Sequence, residues 1–140
     1  MAFENAFQMP LSGYLLQEDQ AEGSAIFNKA MTSISQATET AIIDTCDFRP
    51  FRRIIDVGGG HGAMLSAILE STHDSDGVMY DLPGVVSGAG EALSSVSSRC
   101  EIIPASFFDG VLSGGAYVLK LIIHDWDDER SSKILNNIRS

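Results

Sequence analysis

Ile54-Ile55-Asp56-Val57-Gly58-Gly59-Gly60-His61-Gly62, followed by Ala63-Met64-Leu65-Ser66-Ala67-Ile68-Leu69-Glu70, sets the expected fold of this chain. A short apolar run meets an acidic residue and then a cluster of glycines, and a helical pattern follows. That order predicts a buried strand, a tight turn and a helix. Glycine has no Cβ, so backbone at such a turn passes very close to a ligand. The helix N-terminus behind it offers unpaired N–H groups and the positive end of the helix dipole. Open α/β sheets hold nucleotide-like cofactors in this way. The stretch therefore predicts binding of an adenosine-containing cofactor, or descent from proteins that bind one.

Outward from this turn, the chain divides into two parts. Residues 1–50 carry no strand signal. Pro10 and Gly13 punctuate the start, and Ala25, Ile26, Ala30, Ile34, Ala37, Ala41 and Ile42 recur at helical spacing. Pro50 marks the boundary, because the residue before a proline is pushed out of the α region. Residues 51–140 alternate strand and helix. Ile54–Val57 is the first predicted strand, with a helix from the glycines to about Ser71. Gly77–Tyr80 is the second strand, closing on Asp81-Leu82-Pro83, and a short helix is expected over Val85–Leu93. Glu101–Ile103 is the third strand. Ala116–Ile123 is the fourth; it is apolar on both faces, as a strand inside a parallel sheet should be. A last helix begins within Asp125–Glu129, with Ile134, Leu135 and Ile138 on its inner face.

This alternation predicts an α/β fold, a parallel sheet with helices on both faces. The fourth strand would lie at an open, apolar edge, which is a liability. The expectation is therefore a Rossmann-like sheet incomplete at its C-terminal side, the front part of a larger domain, preceded by a helical lead-in segment.

Composition narrows the function. At 140 residues, with 44% hydrophobic and 20% charged, the chain can bury one real core. A net charge of −10 argues against nucleic acid and anionic membrane as partners, since both need a basic surface. The plain reading of that acidity is solubility. Cys46 and Cys100 suit neither a zinc site nor a CxxC pair, so two buried, reduced thiols are expected. No apolar run approaches the roughly 20 residues that span a bilayer. The start, Met1 to Phe7, lacks the basic and apolar regions of a signal peptide, and the cytoplasm is the expected location.

Several residues stand where chemistry is possible. Gly58, Gly60 and Ala63 satisfy the loose dinucleotide pattern G-x-G-x-x-A, but a tight strand-to-helix connection without a ligand would look the same. Asp81 ends the second strand, where a carboxylate accepts both ribose hydroxyls in nucleotide-binding folds; an Asp-x-Pro turn is the bland alternative. His124 is expected at the carboxyl end of the fourth strand, where a neutral imidazole can take a proton from a hydroxyl. Position alone leaves it open as a non-catalytic histidine. Asp127, Asp128 and Glu129 read as helix-start residues, and no metal site is expected.

Taken together, Asp56 to Gly62, Tyr80-Asp81-Leu82-Pro83, Phe107-Phe108 and Lys120 through Glu129 resemble the S-adenosylmethionine-dependent O-methyltransferases of small molecules. This is the class of plant caffeic acid and isoflavone O-methyltransferases and of bacterial and fungal natural-product enzymes. The segment Ala25 to Met31 resembles the helix just before the cofactor domain in that family. The resemblance implies that Gly58, Gly59 and Gly60 cradle the methionine part of S-adenosylmethionine, that Asp81 holds the ribose and that Phe107 flanks the adenine. It implies that Lys120 contacts the cofactor, that His124 is the general base and that Met31 lines the acceptor pocket. The acceptor would be a small hydroxyl compound. Ser106 stands where the family carries an aspartate near the adenine, offering a hydroxyl without charge. Gly114-Gly115 stands where an acidic residue often precedes the fourth strand. The family also has an N-terminal dimerisation domain, and two acidic residues that orient the histidine; both fall outside this chain. Two other readings are a catalytically incomplete relative, binding the cofactor or acting as an interaction module, and a nicotinamide-dependent oxidoreductase. The His-Asp-Trp segment speaks against the latter.

Overall fold

The structure is a computed structural model, and it describes residues 35–139. The predicted Ala25–Met31 helix, and with it Met31, lies outside the described residues. Two compact units are distinguished, Met1–Ala41 and Ile42–Ser140. Residues 35–45 are helical, and within the first unit Ser35 Oγ donates to Glu39 Oε1 at 3.0 Å.

The second unit is built on four parallel strands: β1 (Arg53–Val57), β2 (Asp76–Asp81), β3 (Cys100–Pro104) and β4 (Ala116–Val118). Their order in the sheet is β3-β2-β1-β4. β1 runs alongside β2 from Arg53↔Asp76 to Val57↔Tyr80 and alongside β4 from Ile54↔Ala116 to Asp56↔Val118. β2 runs alongside β3 from Gly77↔Cys100 to Asp81↔Pro104. All four carboxyl ends therefore meet at one edge of the sheet. The helices are α1 (Ala63–Ser71), α2 (Pro83–Val86) and α3 (Asp128–Arg139), with 3₁₀ turns over Ser94–Arg99 and Ile123–Asp125.

Alternation along β1 and β2 splits the core into two layers. Ile54 and Met79 face α1, whose Met64, Leu65, Ile68 and Leu69 join Leu93 and Val96; Ile42, Ile43 and Phe48 pack on this layer. Ile55, Val57 and Val78 face the opposite way, against Phe107, Tyr117, Leu119 and Ile138. α1 sits so close to the sheet that a Cβ on Gly77 would lie 2.7 Å from Leu69 Cδ1. The α1 C-terminus is closed by a remote residue. The Arg99 guanidinium donates to the carbonyls of Leu69 (2.7 Å), Thr72 (2.8 Å) and Ser75 (2.7 Å), satisfying acceptors the helix leaves open.

The structure corrects four sequence expectations and bears out the start of the last helix. The fourth strand ends at Val118, because Lys120 and Leu121 form a turn with Leu121 at φ 58°, in the left-handed region. Its apolar tail serves packing rather than a ladder. The expected Val85–Leu93 helix shrinks to Pro83–Val86, with turns after it. Gly88 and Gly90 there make poor helix interior. The last helix starts at Asp128, within the expected Asp125–Glu129, with Asp127 Oδ1 accepting the Arg130 amide at 2.8 Å. Leu135 is exposed: one residue past buried Ile134, it is turned about 100° off the inner face. Finally, Cys46 is exposed and Cys100 only half-buried. Among the described residues, no helix is long and apolar enough to cross a membrane.

Candidate functional site

The site begins with backbone shape. Gly58, Gly60 and Gly62 have φ of 72°, 60° and 85°, values that side-chain-bearing residues rarely adopt. The Gly58 amide continues the β1–β2 ladder by donating to the Tyr80 carbonyl at 2.7 Å. The chain then folds back through Gly62 N–H to the Gly59 carbonyl at 2.9 Å and enters α1. Around Gly60 the space is open, with nothing within 4 Å of where a Cβ would stand. Gly58 and Gly59 are tightly walled instead. A Cβ on Gly58 would overlap the Ile122 side chain and come within 3.6 Å of Phe107 Cε1, and one on Gly59 would lie 2.8 Å from Asp56 Oδ2. α1 starts at Gly62 with no side-chain cap and no acidic residue in its first turn. Its N-terminal dipole is thus left to favour an anionic group beside the glycines.

Asp81 lies at the end of β2, as its sequence position predicts. Its Oδ2 accepts the Gly60 amide at 2.8 Å and its Oδ1 the Leu82 amide at 2.7 Å. A carboxylate offers about four acceptor positions, so two remain for ligand hydroxyls.

The turn after β3 carries Ser106 and Phe107. Ser106 Oγ accepts the Phe108 amide at 3.2 Å and shapes the turn. The Phe107 ring packs in the layer around Ile55, Val57 and Val78, and meets Trp126 edge-on at 6.1 Å and 78°. Phe108 lies 4.9 Å from both Phe107 and Trp126. On α3, Asn137 Nδ2 donates to the Phe107 carbonyl at 2.8 Å.

Lys120 stands in the left-handed turn past β4. His124 is not at the strand end but beyond that turn, in the 3₁₀ turn Ile123–Asp125. Its Nε2 is 3.1 Å from Asp125 Oδ1, and both side chains are well exposed. Gly114 and Gly115 have a packing reason: a Cβ on Gly114 would come within 2.7 Å of Ile55 Cδ1, and Gly115 N–H donates to the Arg53 carbonyl at 2.9 Å.

The structure thus joins Gly60 to Asp81 directly and sets both Phe107 and Ile122 beside Gly58. It ties His124 to its neighbour Asp125 and Ser106 to its own turn. Sequence reasoning missed Ile122, Trp126, Asp125 and Asn137. Ile122, Asp125 and Trp126 lay within the Lys120–Glu129 motif but were given no role, and for Asn137 the one signal was that Arg130, Lys133 and Asn137 share one face of α3 by their spacing. Among the described residues, no group of three or more His, Cys, Asp or Glu is placed to hold a metal ion.

Comparison with known proteins gives one consistent result. The family model of the O-methyltransferase domain matches residues 1–140. The phenazine O-methyltransferase PhzM of Lysobacter antibioticus is 40% identical over 99% of this chain and 41% of its own length. The crystal structure of the N,N-8-amino-8-demethyl-D-riboflavin dimethyltransferase RosA from Streptomyces davawensis superposes with a TM-score of 0.90 at 33% identity, covering 99% of this chain and 42% of that one. CalO1, a methyltransferase of calicheamicin biosynthesis in its SAH-bound form, gives 0.84 at 31% identity, covering 98% of this chain and 40% of that one. The chain spans about two-fifths of the length of these relatives.

Proposed function

The chain belongs to the O-methyltransferase domain family, and on that premise we propose that it forms the S-adenosylmethionine-binding part of a small-molecule methyltransferase. Residues 1–50 are then the lead-in on the acceptor side, with Met31 toward the acceptor, and residues 51–140 the cofactor part. The reading carries with it a cytoplasmic location and a homodimer. The observation that supports it best is the 2.8 Å bond from the Gly60 amide to Asp81 Oδ2. It fuses the glycine turn and the end of β2 into one cradle at the carboxyl edge of the sheet, where ligands of open α/β folds bind.

The residues fit such a cofactor. The open side of Gly60 and the uncapped start of α1 suit the charged methionine end. Asp81 keeps acceptor positions for the ribose hydroxyls, and Phe107 offers a ring for the adenine, with Ser106 shaping its turn. Lys120 borders the cofactor from the β4 side. S-adenosylmethionine, when bound, supplies a methyl group on a cationic sulfur that departs as a neutral thioether. His124 would receive the proton of the acceptor hydroxyl and so leave its oxygen a stronger nucleophile. Asp125 steadies the imidazolium so formed. General-base catalysis of this kind contributes roughly 10²–10⁴-fold, and holding donor and acceptor in line contributes roughly 7–11 kcal/mol in good cases.

The acceptor is a small aromatic compound. This reading is supported by relatives named for phenazine O-methylation and for dimethylation of an aminoriboflavin. The test is a calorimetric titration of the chain with S-adenosylmethionine, S-adenosylhomocysteine and NAD. Saturable binding of the first two alone is expected. Binding of NAD, or of none, would overturn the reading.

A further inference from the structure

α3 presents one face, Arg130, Lys133 and Asn137, to the aromatic cluster of Phe107, Phe108 and Trp126. The Arg130 guanidinium lies 5.6 Å from the Trp126 ring centre and the Lys133 ammonium 5.8 Å from that of Phe108. Asn137 reaches the backbone of the turn after β3, donating Nδ2–H to the Phe107 carbonyl at 2.8 Å. Residues 107–109 form a turn, so fixing this carbonyl fixes the peptide plane from which the Phe107 side chain departs. The helix itself is anchored: Ile134 is fully buried, and Ile138 packs on the layer of Ile55, Val57 and Val78. Asn137 therefore transmits a rigid reference frame from the core to one aromatic ring, and that ring stands beside Gly58 at the carboxyl edge of the sheet.

We propose that Asn137 is a positioning residue for cofactor binding, acting through Phe107 on the adenine end. The inference rests on the cofactor reading above. It assigns α3 a role in ligand affinity. Asparagine suits the role because its amide donates to a carbonyl without bringing charge. An aspartate of the same shape offers only acceptors and repels that carbonyl.

Asn137→Asp and Asn137→Ala separate this from a purely structural part. Each variant is titrated with S-adenosylhomocysteine and with 5′-methylthioadenosine, which keeps the adenosine but lacks the amino-acid end. Emission of Trp126, the sole tryptophan, and the urea unfolding midpoint are read alongside. Loss of one hydrogen bond should weaken both ligands by the same factor, roughly two- to tenfold, with a shift in Trp126 emission. Weakening of S-adenosylhomocysteine alone would route the effect through the amino-acid end and overturn the proposal, as would unchanged affinity for both. Failure of both variants to unfold cooperatively would make Asn137 merely structural and overturn it too. If the unaltered chain binds neither ligand, the cofactor reading falls and this inference falls with it.

Discussion

Asp81 Oδ2 accepts the amide hydrogen of Gly60 at 2.8 Å, so the carboxylate at the end of β2 holds the turn that follows β1. The two residues are 21 positions apart in sequence. Replacing Asp81 by Ala removes this strut together with the acceptors proposed for the ribose. S-adenosylhomocysteine should then bind about 1–3 kcal/mol more weakly, the worth of charge-assisted hydrogen bonds. Asp81→Asn, which keeps one carbonyl oxygen, should fall between. A dissociation constant unmoved by either change would take Asp81 out of the site.

Gly58 and Gly60 share a left-handed backbone but not an environment. Gly58→Ala adds the left-handed strain of a residue with a Cβ to an overlap with Ile122, together about 2–4 kcal/mol of folding stability. Gly60→Ala meets open space and should cost only the strain, about 1–2 kcal/mol. Urea unfolding of the two variants measures the difference. Truncating Ile122 to Ala in the Gly58→Ala background should return part of the loss. Equal losses at both glycines would mean that Ile122 yields freely.

His124 is exposed and paired only locally with Asp125 in the described geometry. His124→Ala should therefore change unfolding free energy by no more than about 0.5 kcal/mol and leave S-adenosylhomocysteine affinity unchanged. Methyl transfer to a phenol panel, followed by release of S-adenosylhomocysteine in the catalytically competent protein, should drop by about 10²–10⁴-fold. Loss of cofactor affinity in this variant would contradict the base assignment.

Burial, aided by the charge of Asp56, pushes the Cys100 thiol from 9.0 up to about 11. The folded state thus favours the neutral thiol. This contribution to stability is complete below the unfolded value near 9.0 and is lost as pH rises through about 11. Stability should fall across that window, and Cys100→Ala should flatten the fall. At about pH 8, iodoacetamide should modify exposed Cys46 well before Cys100, because only thiolate reacts. Mass-spectrometric mapping that found Cys100 labelled first would refute the assignment.

The strands before the glycines and before Asp81 were legible because each signal is local. Ile54 to Val57 is apolar and closes on glycines, and Asp81-Leu82-Pro83 ends the next run. Ala116–Ile123 misled because an apolar stretch says nothing about how many of its residues find a partner. β4 has β1 on one side, and its ladder stops at Asp56↔Val118. The residues after it turn through Leu121 instead, which brings Ile122 over Gly58.

From sequence alone, periodicity and glycine placement determined the alternating α/β order, the glycine turn and the acidic residue at the end of β2, and family motifs singled out the positions proposed for the cofactor. These properties depend on neighbours a few residues apart. Tertiary structure alone decided the order β3-β2-β1-β4, the early end of β4 and the partners of the site residues: Asp125 for His124, Ile122 for Gly58 and Asn137 for Phe107. The last of these spans 30 positions, and its geometry exists only once α3 has docked its buried Ile134 and half-buried Ile138. Local rules specify each segment's conformation, and the packing of segments against one another selects which side chains meet.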